Sequence, residues 1–205
     1  MKKVYLLSKV DEDKCVGDRF CEDVCPTKAI RMVNKKAVVD ETKCAGCLHC
    51  LDACGEGAIM VLPREEPLVL GCDTSDMDPA EIAALCKRAN FDPEERICVC
   101  MDVRAGEVAG AILQGARSPE EVSLLTGVRT SCGMWCMAPV QRLLQAHGDA
   151  AEPEKGYRWY PIDTGVWDIP EEVARRYPEY RLEEDSAQFR EGTLENLVSI
   201  FKVKS

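Results

Sequence analysis

The spacing of apolar and capping residues predicts a run of α-helices through the middle of the chain. Asp78 suits an N-cap and Pro79 the first helical position, so a helix is expected over residues 78–90. Helical patterns continue over three further stretches, residues 103–115, 118–127 and 137–147. In the second of these, Ser118 would cap the start and Gly127 close the end. This part of the chain is therefore expected to be mainly α-helical.

The apolar stretches near the start of the chain are short. Only four apolar residues follow one another at positions 4–7, fewer than the ~7–15 of an export signal. No stretch approaches the ~18 apolar residues of a membrane span. A net charge of −10 disfavours non-specific binding to nucleic acid or anionic membranes. We therefore expect a cytoplasmic protein without a membrane span.

The cysteine content narrows the chemistry. The chain has 13 cysteines, an odd number, and no export signal is predicted. Thiols in a cytosolic chain usually serve metal binding or catalysis, so a disulfide scaffold is disfavoured.

An internal repeat organises the first group of cysteines. V-D-E-D-K-C at 10–15 returns as V-D-E-T-K-C at 39–44, an offset of 29 residues. The second copy continues as C-A-G-C-L-H-C-L-D-A-C, a complete C-x2-C-x2-C-x3-C run. The first copy has Asp18 where its twin has Cys47. Because the rest of the first copy is intact, Asp18 is interpreted as an oxygen ligand in a working site.

The spacing assigns these residues to two clusters. Three cysteines two residues apart can surround one cluster, and the fourth cysteine of each run ligates the other cluster. The ligands expected for cluster one are Cys15, Asp18, Cys21 and Cys54. The ligands expected for cluster two are Cys25, Cys44, Cys47 and Cys50.

Residues 1–66 resemble a bacterial-type two-cluster ferredoxin domain. The resemblance implies two pseudo-symmetric halves, each with strands and a short helix, and two [4Fe–4S] clusters. Within that family an Asp is a known variation at the position of Asp18; the chain also has Gly55 where the family often has proline. A carboxylate holds its iron less firmly than a thiolate does. The resemblance therefore implies either an Asp-ligated [4Fe–4S] cluster or a [3Fe–4S] cluster that has lost that iron.

A second group of cysteines resembles a different family. C-V-C at 98–100 is followed by helical sequence and by C-G-M-W-C at 132–136, and residues 95–147 as a whole resemble the Bfd-like [2Fe–2S] domain. By position, the resemblance implies four ligands, Cys98, Cys100, Cys132 and Cys136. The family usually closes with C-x2-C, and this chain has one residue more. A zinc ion could use the same four thiolates and remains the alternative.

The remaining cysteines and both histidines have structural interpretations. Cys86 shares an apolar helix face with Ile82 and Leu85, and Cys72 ends an apolar run, so both are expected in the core. The alternative is that they join Cys98 or Cys100 in a different cluster. A Rieske site needs two histidines on one iron, so His49 is expected to lie near cluster two without binding iron. His147 is expected in the last turn of a helix.

The C-terminal region differs from the rest. Residues 149–205 have no cysteine but hold eight of the twelve aromatic residues, Tyr157, Trp159, Tyr160, Trp167, Tyr177, Tyr180, Phe189 and Phe201. Tyr and Trp are common anchors at protein interfaces. The region is interpreted as an arm that docks on a partner subunit; the alternative is an arm packed over its own cluster domains. The apolar pattern of residues 195–203 predicts either a strand or a helix.

The predicted fold class is α+β, in four parts. These are a pseudo-two-fold dicluster ferredoxin domain at 1–66, a connector with one helix at 67–94, a small all-α Bfd-like domain at 95–148, and an irregular arm at 149–205.

The sequence contains no catalytic triad, dinucleotide fingerprint or phosphate loop, so no catalytic site is expected in this chain. Three clusters in one chain predict electron transfer. Bfd-like domains often occur on or beside flavin dehydrogenases, which implies a catalytic flavoprotein partner in a hetero-oligomer. The function predicted is an iron–sulfur electron-transfer subunit of a multi-subunit oxidoreductase in an anaerobic or low-oxygen cytoplasm. The alternatives are a free ferredoxin-like carrier, a Bfd-type docking module and a redox sensor.

Overall fold

The computed structural model describes residues 1–149 and 169–190. The chain divides into two compact units, residues 1–159 and 160–205. The first unit contains every cysteine.

The N-terminal part of the first unit is built from two antiparallel ribbons and two short helices. The elements are β1 (Lys2–Val10), α1 (Phe20–Asp23), β2 (Ile30–Val33), β3 (Lys36–Val39), α2 (His49–Ala53) and β4 (Ile59–Leu70). Strand β1 pairs with β4, and β2 pairs with β3. Ile30 lies opposite Val39, and Ile59 lies opposite Val10, which is the same register after the 29-residue offset. The sequence repeat is therefore a structural repeat.

The core of this N-terminal part contains thiols alongside aliphatic side chains. Its buried members are Cys21, Cys25, Ala29, Ile30, Ala37, Cys44, Cys50 and Ile59. The apolar partners are small or few, so bound clusters would supply much of the interior. Metal binding and folding are expected to be coupled in such a domain.

The second part of the first unit is helical. It contains α3 (Pro79–Arg88), a ribbon of β5 (Arg96–Cys98) and β6 (Val103–Arg104), α4 (Ala105–Leu113), α5 (Pro119–Thr126) and α6 (Met137–His147). Helix α4 packs against α3, α5 and α6. Fully buried side chains at its centre include Val108 and Ile112 of α4 and Leu143 of α6. Together they form one apolar core.

Helix α3 belongs to this same core, although it lies in the predicted connector 67–94. Its Leu85 and Cys86 are fully buried against the other helices. The segment before α3 crosses α4, where a Cβ on Gly110 would collide with the side chain of Thr74. The helical part therefore begins before residue 95.

Local signals at the helix ends confirm most of the predicted helices. Asp78 Oδ1 accepts a hydrogen bond from the Ala80 N–H at 2.8 Å, and Ser118 Oγ accepts one from the Glu121 N–H at 3.2 Å. Gly127 has a φ of 78°, which ends α5 in the left-handed conformation. The helix predicted from residue 103 starts later, at Ala105, because the two preceding residues pair with β5.

The second unit is described over residues 169–190. It has α7 (Glu171–Arg176), a 3-10 turn (Pro178–Tyr180) and α8 (Leu182–Arg190), so this stretch of the arm is helical, not irregular. The Tyr177 and Tyr180 rings lie 6.4 Å apart between centroids. The other predicted anchors and the element expected at 195–203 lie outside the described residues, as does the side chain of Phe189. Among described residues, no helix is long and apolar enough to cross a membrane.

Candidate iron–sulfur centres

The thiols assigned to cluster two lie together in the structure. The Cys50 thiol interacts electrostatically with those of Cys25, Cys44 and Cys47. Burial raises the pKa of Cys50 to about 11, against the opposing effect of Ser8, whose hydroxyl lies 3.3 Å from the sulfur. Because the ligand form of cysteine is the thiolate, cluster binding at these buried thiols would release protons.

Backbone amides point at the sulfurs in both halves of the repeat. The Ala29 N–H donates to Cys25 Sγ at 3.2 Å, and its twin Ala58 donates to Cys54 Sγ at 3.4 Å. The Ser8 N–H lies 3.5 Å from Cys44 Sγ. Hydrogen bonds to ligand sulfurs stabilise the charged form and are one of the factors that set a cluster's potential. The donor set therefore fits anionic iron–sulfur clusters.

The residues assigned to cluster one form a second, more open group. Cys21 interacts electrostatically with Asp18 and Cys15, and also with Cys50 of cluster two. Cys54 packs against the core that the thiols of both sets share. Burial, followed by the Asp18 carboxylate, raises the pKa of Cys21 to about 11. Asp18 itself is exposed to solvent.

The Asp18 loop has the backbone conformation of its all-cysteine twin. Gly17 and Gly46 have φ values of 80° and 58°. A Cβ on Gly17 would collide with the Lys35 carbonyl, and one on Gly46 would lie 2.8 Å from the Leu6 carbonyl. Both loops thus need glycine, for its positive φ and for its lack of a side chain.

The side chains of Asp18 and of its twin, Cys47, also make equivalent hydrogen bonds. Asp18 Oδ1 accepts from the backbone N–H of Phe20, two residues on, at 3.2 Å. Cys47 accepts from the backbone N–H of His49, also two residues on. The carboxylate therefore occupies the position that the thiolate occupies in the twin loop.

The four thiols implied by the second resemblance also come together. Cys100 Sγ lies 3.3 Å from Cys132 Sγ, and the Cys98 and Cys136 thiols share a hydrogen bond. That bond lowers the pKa of Cys98 and raises the pKa of Cys136, because one sulfur donates to the other. The Cys98–Cys136 pair is buried and the Cys100–Cys132 pair is exposed.

The additional residue in the C-x3-C run is accommodated in an exposed loop. Gly133 has a φ of 64°, and the Trp135 side chain is 81 % exposed. The following residue, Cys136, is buried beside Cys98 at the start of α6. The longer spacing therefore does not displace the fourth thiol from the group.

One functional residue was not found from the sequence. The backbone N–H of Arg129 points at the sulfurs of Cys98 and Cys136. Arg129 has a φ of 70°, a conformation that non-glycine residues rarely adopt. Nothing in the sequence around an arginine signals this backbone geometry.

The remaining candidates lie where structural residues are expected. Cys86 is fully buried, and burial raises its pKa to about 11, which makes the thiol unreactive. Cys72 is half-buried and packs against the same core. His147 is the last residue of α6, as predicted.

Within residues 1–149 and 169–190, no three His, Cys, Asp or Glu side chains are arranged around the position of a single metal ion. In a four-iron cluster each protein ligand binds a different iron, so such a cluster does not need three side chains around one ion.

Comparison with protein-family models finds one match in each part of the first unit. Residues 7–55 match the model of a 4Fe-4S dicluster domain, and residues 96–146 match that of a BFD-like [2Fe-2S] binding domain. Both matches are to iron–sulfur domains, which imply electron transfer. It carries these two domains fused in one polypeptide. Comparison with curated proteins and with solved structures finds no match.

Proposed function

We propose that this chain is the iron–sulfur electron-transfer subunit of a multi-subunit oxidoreductase with a flavin-containing catalytic subunit. The observation that carries the proposal is that one compact unit, residues 1–159, holds both matched iron–sulfur domains and all the cysteines assigned to the three predicted ligand sets. When bound, the clusters would accept and release single electrons. A chain with three such centres and no catalytic motif is suited to connecting a catalytic subunit with an electron acceptor.

The proposal assigns two [4Fe–4S] clusters and one [2Fe–2S] cluster to the ligand sets described above. Asp18 is assigned to the fourth iron of cluster one. Two similarities support this: the loops of Asp18 and Cys47 share a backbone conformation, and both side chains accept a hydrogen bond from the backbone N–H two residues on. A [3Fe–4S] cluster is the form expected after that iron is lost. The weaker oxygen ligand favours a low-oxygen cytoplasm as the place of function.

The exposure of the ligand groups supports exchange with other proteins. Cys100 and Cys132 lie at the surface beside the exposed Trp135, and Asp18 lies at the surface of the dicluster domain. Cluster two is more enclosed, since Cys25, Cys44 and Cys50 are buried. Two accessible groups and one enclosed group suit a subunit that receives electrons at one place and releases them at another.

The flavin partner is proposed on the chemistry of dehydrogenases. A flavin takes two electrons from its substrate and can release them singly to iron–sulfur clusters. The resemblance of residues 95–147 to domains found beside flavin dehydrogenases supports this pairing. The aromatic arm at 149–205 is assigned to docking on that subunit.

The test is an anaerobic purification of the tagged chain from its source, with mass spectrometry of the proteins that accompany it. We expect a flavoprotein subunit and about ten irons per chain from the three ligand sets. A chain that purifies alone with all its iron would be a diffusible carrier. A co-purifying iron-storage protein would indicate a docking module, and either result would overturn the subunit assignment.

A matched pair of variants tests the arm. Tyr180 is 66 % exposed, and Tyr5, on β1, is 55 % exposed. Tyr180→Ala is expected to reduce the yield of the co-purifying subunit, whereas Tyr5→Ala leaves it unchanged. Equal yields would remove Tyr180 from the docking surface.

A variant of one ligand tests the cluster assignment. Cys132→Ala is expected to abolish the [2Fe–2S] signal in electron paramagnetic resonance and to leave the other two signals. Loss of all three signals would contradict the division into two cluster domains.

A further inference from the structure

One segment of the helical domain, residues 120–133, makes polar contacts with the dicluster domain at several points. Lys28 Nζ lies 3.8 Å from Glu120 Oε2. The His49 ring nitrogen Nε2 hydrogen-bonds to the Ser131 carbonyl. At the end of the β1–β4 ribbon, the Gly71 N–H donates to the Leu125 carbonyl at 2.7 Å. The two domains are therefore joined through this segment as well as through the chain itself.

Two of these contacts come from residues next to ligands of cluster two. His49 lies between Cys47 and Cys50, and Lys28 follows Cys25 by three residues. The 29-residue repeat supplies the comparison for each. The twin of His49 is Phe20, whose side chain is 53 % exposed. In the loop of cluster two, His49 therefore contacts the helical domain. In the loop of cluster one, the equivalent side chain, Phe20, is exposed to solvent.

The twin of Lys28 is Gly57. Both have a positive φ, 50° for Lys28 and 61° for Gly57. Among the described residues, no atom lies within 4 Å of the place where a Cβ of Gly57 would be. Lys28 therefore adopts a backbone conformation that normally favours glycine. Its side chain reaches Glu120 from this position. Backbone conformations of this kind persist where surrounding interactions maintain them.

Residues 120–133 also contact the predicted ligands of the [2Fe–2S] cluster within the helical domain. Glu120 and Arg129 are 2 % and 5 % exposed, and Arg129 Nη1 lies 3.3 Å from Glu120 Oε1. The Arg129 N–H points at the sulfurs of Cys98 and Cys136. Ser131, which His49 contacts, immediately precedes Cys132. His49 thus contacts the residue before Cys132, and Lys28 contacts the partner of Arg129, whose backbone N–H points at two predicted ligand sulfurs.

We propose that His49, Lys28, Glu120 and Arg129 are positioning residues that hold the loop of cluster two against the loop of the [2Fe–2S] cluster. Cluster two, and not the Asp18 cluster, is then the electronic neighbour of the [2Fe–2S] cluster. Glu120 is buried with Arg129 inside the helical domain, and Lys28 of the dicluster domain supplies a second cation 3.8 Å from its other carboxylate oxygen, so the contact between the domains adds a charge partner to a buried carboxylate. The inference rests on the cluster content proposed above, but not on the identity of a partner enzyme.

The first test uses the full chain with all three clusters bound. The microwave power needed to saturate the [2Fe–2S] resonance is measured while the clusters are reduced stepwise, because a nearby paramagnetic cluster speeds its relaxation. Asp18→Cys identifies the cluster-one signal, since it alters that cluster alone. We expect the [2Fe–2S] resonance to become harder to saturate in step with the reduction of cluster two. A change in step with the Asp18 cluster, or no change, would overturn the proposal.

The second test compares His49→Ala with Phe20→Ala, its twin in the repeat. His49→Ala is expected to lose the relaxation enhancement while keeping its iron and sulfide. Phe20→Ala is expected to keep both. Enhancement that survives His49→Ala at the wild-type level would remove His49 as a positioning residue. Iron and sulfide below the content of three clusters in the wild type would instead contradict the proposed function.

A further pair of variants is used if the His49→Ala protein does not assemble its clusters. Glu120→Gln keeps the shape of the side chain and removes its charge, and Glu121→Gln makes the same change at the exposed neighbouring residue. Loss of the enhancement in Glu120→Gln alone supports the proposal. Equal behaviour of the two variants would contradict it, and the wild-type titration decides the neighbour of the [2Fe–2S] cluster in either case.

Discussion

The two ligand loops of the dicluster domain, residues 15–21 and 44–50, share a backbone but not an environment. Their glycines and the residues before their helices have the same left-handed conformations, and the strands that support them pair in the same register. Val16 is 64 % exposed, whereas its twin Ala45 is 7 % exposed. The first loop has the Asp18 carboxylate at the surface, and the second has a cysteine at that position and contacts the helical domain through His49.

On the proposed ligand assignment, this difference would allow one folding unit to carry two unlike centres. The backbone of each loop places the ligands, and it does so equally for carboxylate and thiolate. Ligand type, hydrogen bonding and burial then set the properties of each cluster. The duplicated domain can therefore keep its fold while one half faces solvent and the other half faces a second domain.

The largest effect is expected from the cysteines that cross between the halves. Cys25→Ala should eliminate cluster two, because the Cys25 thiol interacts with those of Cys47 and Cys50. Cys54→Ala should eliminate the Asp18 cluster. In each variant, iron analysis should fall from about ten to about six irons per chain. Loss of the cluster in the cysteine's own half would show that the two runs do not exchange ligands.

Exchange of Asp and Cys between positions 18 and 47 should have the next largest effect. Asp18→Cys is expected to slow the loss of iron from cluster one in air, and Cys47→Asp to make cluster two lose an iron, because a carboxylate holds iron less firmly. Iron release is followed by chelator absorbance after exposure to air. Asp13→Cys adds a thiol to the same region outside the ligand run and serves as the control. If Asp18→Cys releases iron at the wild-type rate, Asp18 is not a ligand.

The buried ion pair of the helical domain and the exposed ion pair beside the first loop should differ in their contribution to stability. Arg129→Met leaves Glu120 buried without its nearest cation and is expected to cost about 3–5 kcal/mol of unfolding free energy. Arg19→Met breaks the exposed pair with Glu22 and should cost at most about 1 kcal/mol. Both values are measured by anaerobic denaturant unfolding with the clusters bound. Equal costs would contradict the unequal burial of the two pairs.

The smallest effects are expected from exchange of the twin residues Val16 and Ala45. Ala45→Val adds two methyl groups at a buried position and should cost about 1–3 kcal/mol. Val16→Ala removes them from an exposed position and should change stability by about 0.5 kcal/mol or less. Midpoints of anaerobic thermal unfolding measure both. A cost for Val16→Ala as large as that for Ala45→Val would mean that the first loop is also covered.

The elements that could be predicted depend on residues close together in the chain. The C-x2-C-x2-C-x3-C run places three ligands in one loop, and the repeat at 29 residues predicts the second site and the position of Asp18. Asp78 and Ser118 cap their helices through bonds to amides two or three residues away. Such interactions are visible in a sequence because only a few residues separate the partners.

The arrangement of the two domains depends instead on residues far apart in the chain. His49 and Ser131 are 82 residues apart in sequence. Glu120 and Lys28 come from different domains, and Leu85 and Cys86 of α3 are buried only because α4 and α6 pack against them. The sequence by itself predicted which residues bind clusters. The tertiary structure decided which cluster loop lies beside the other domain, because burial and ion pairing between distant residues have no local pattern.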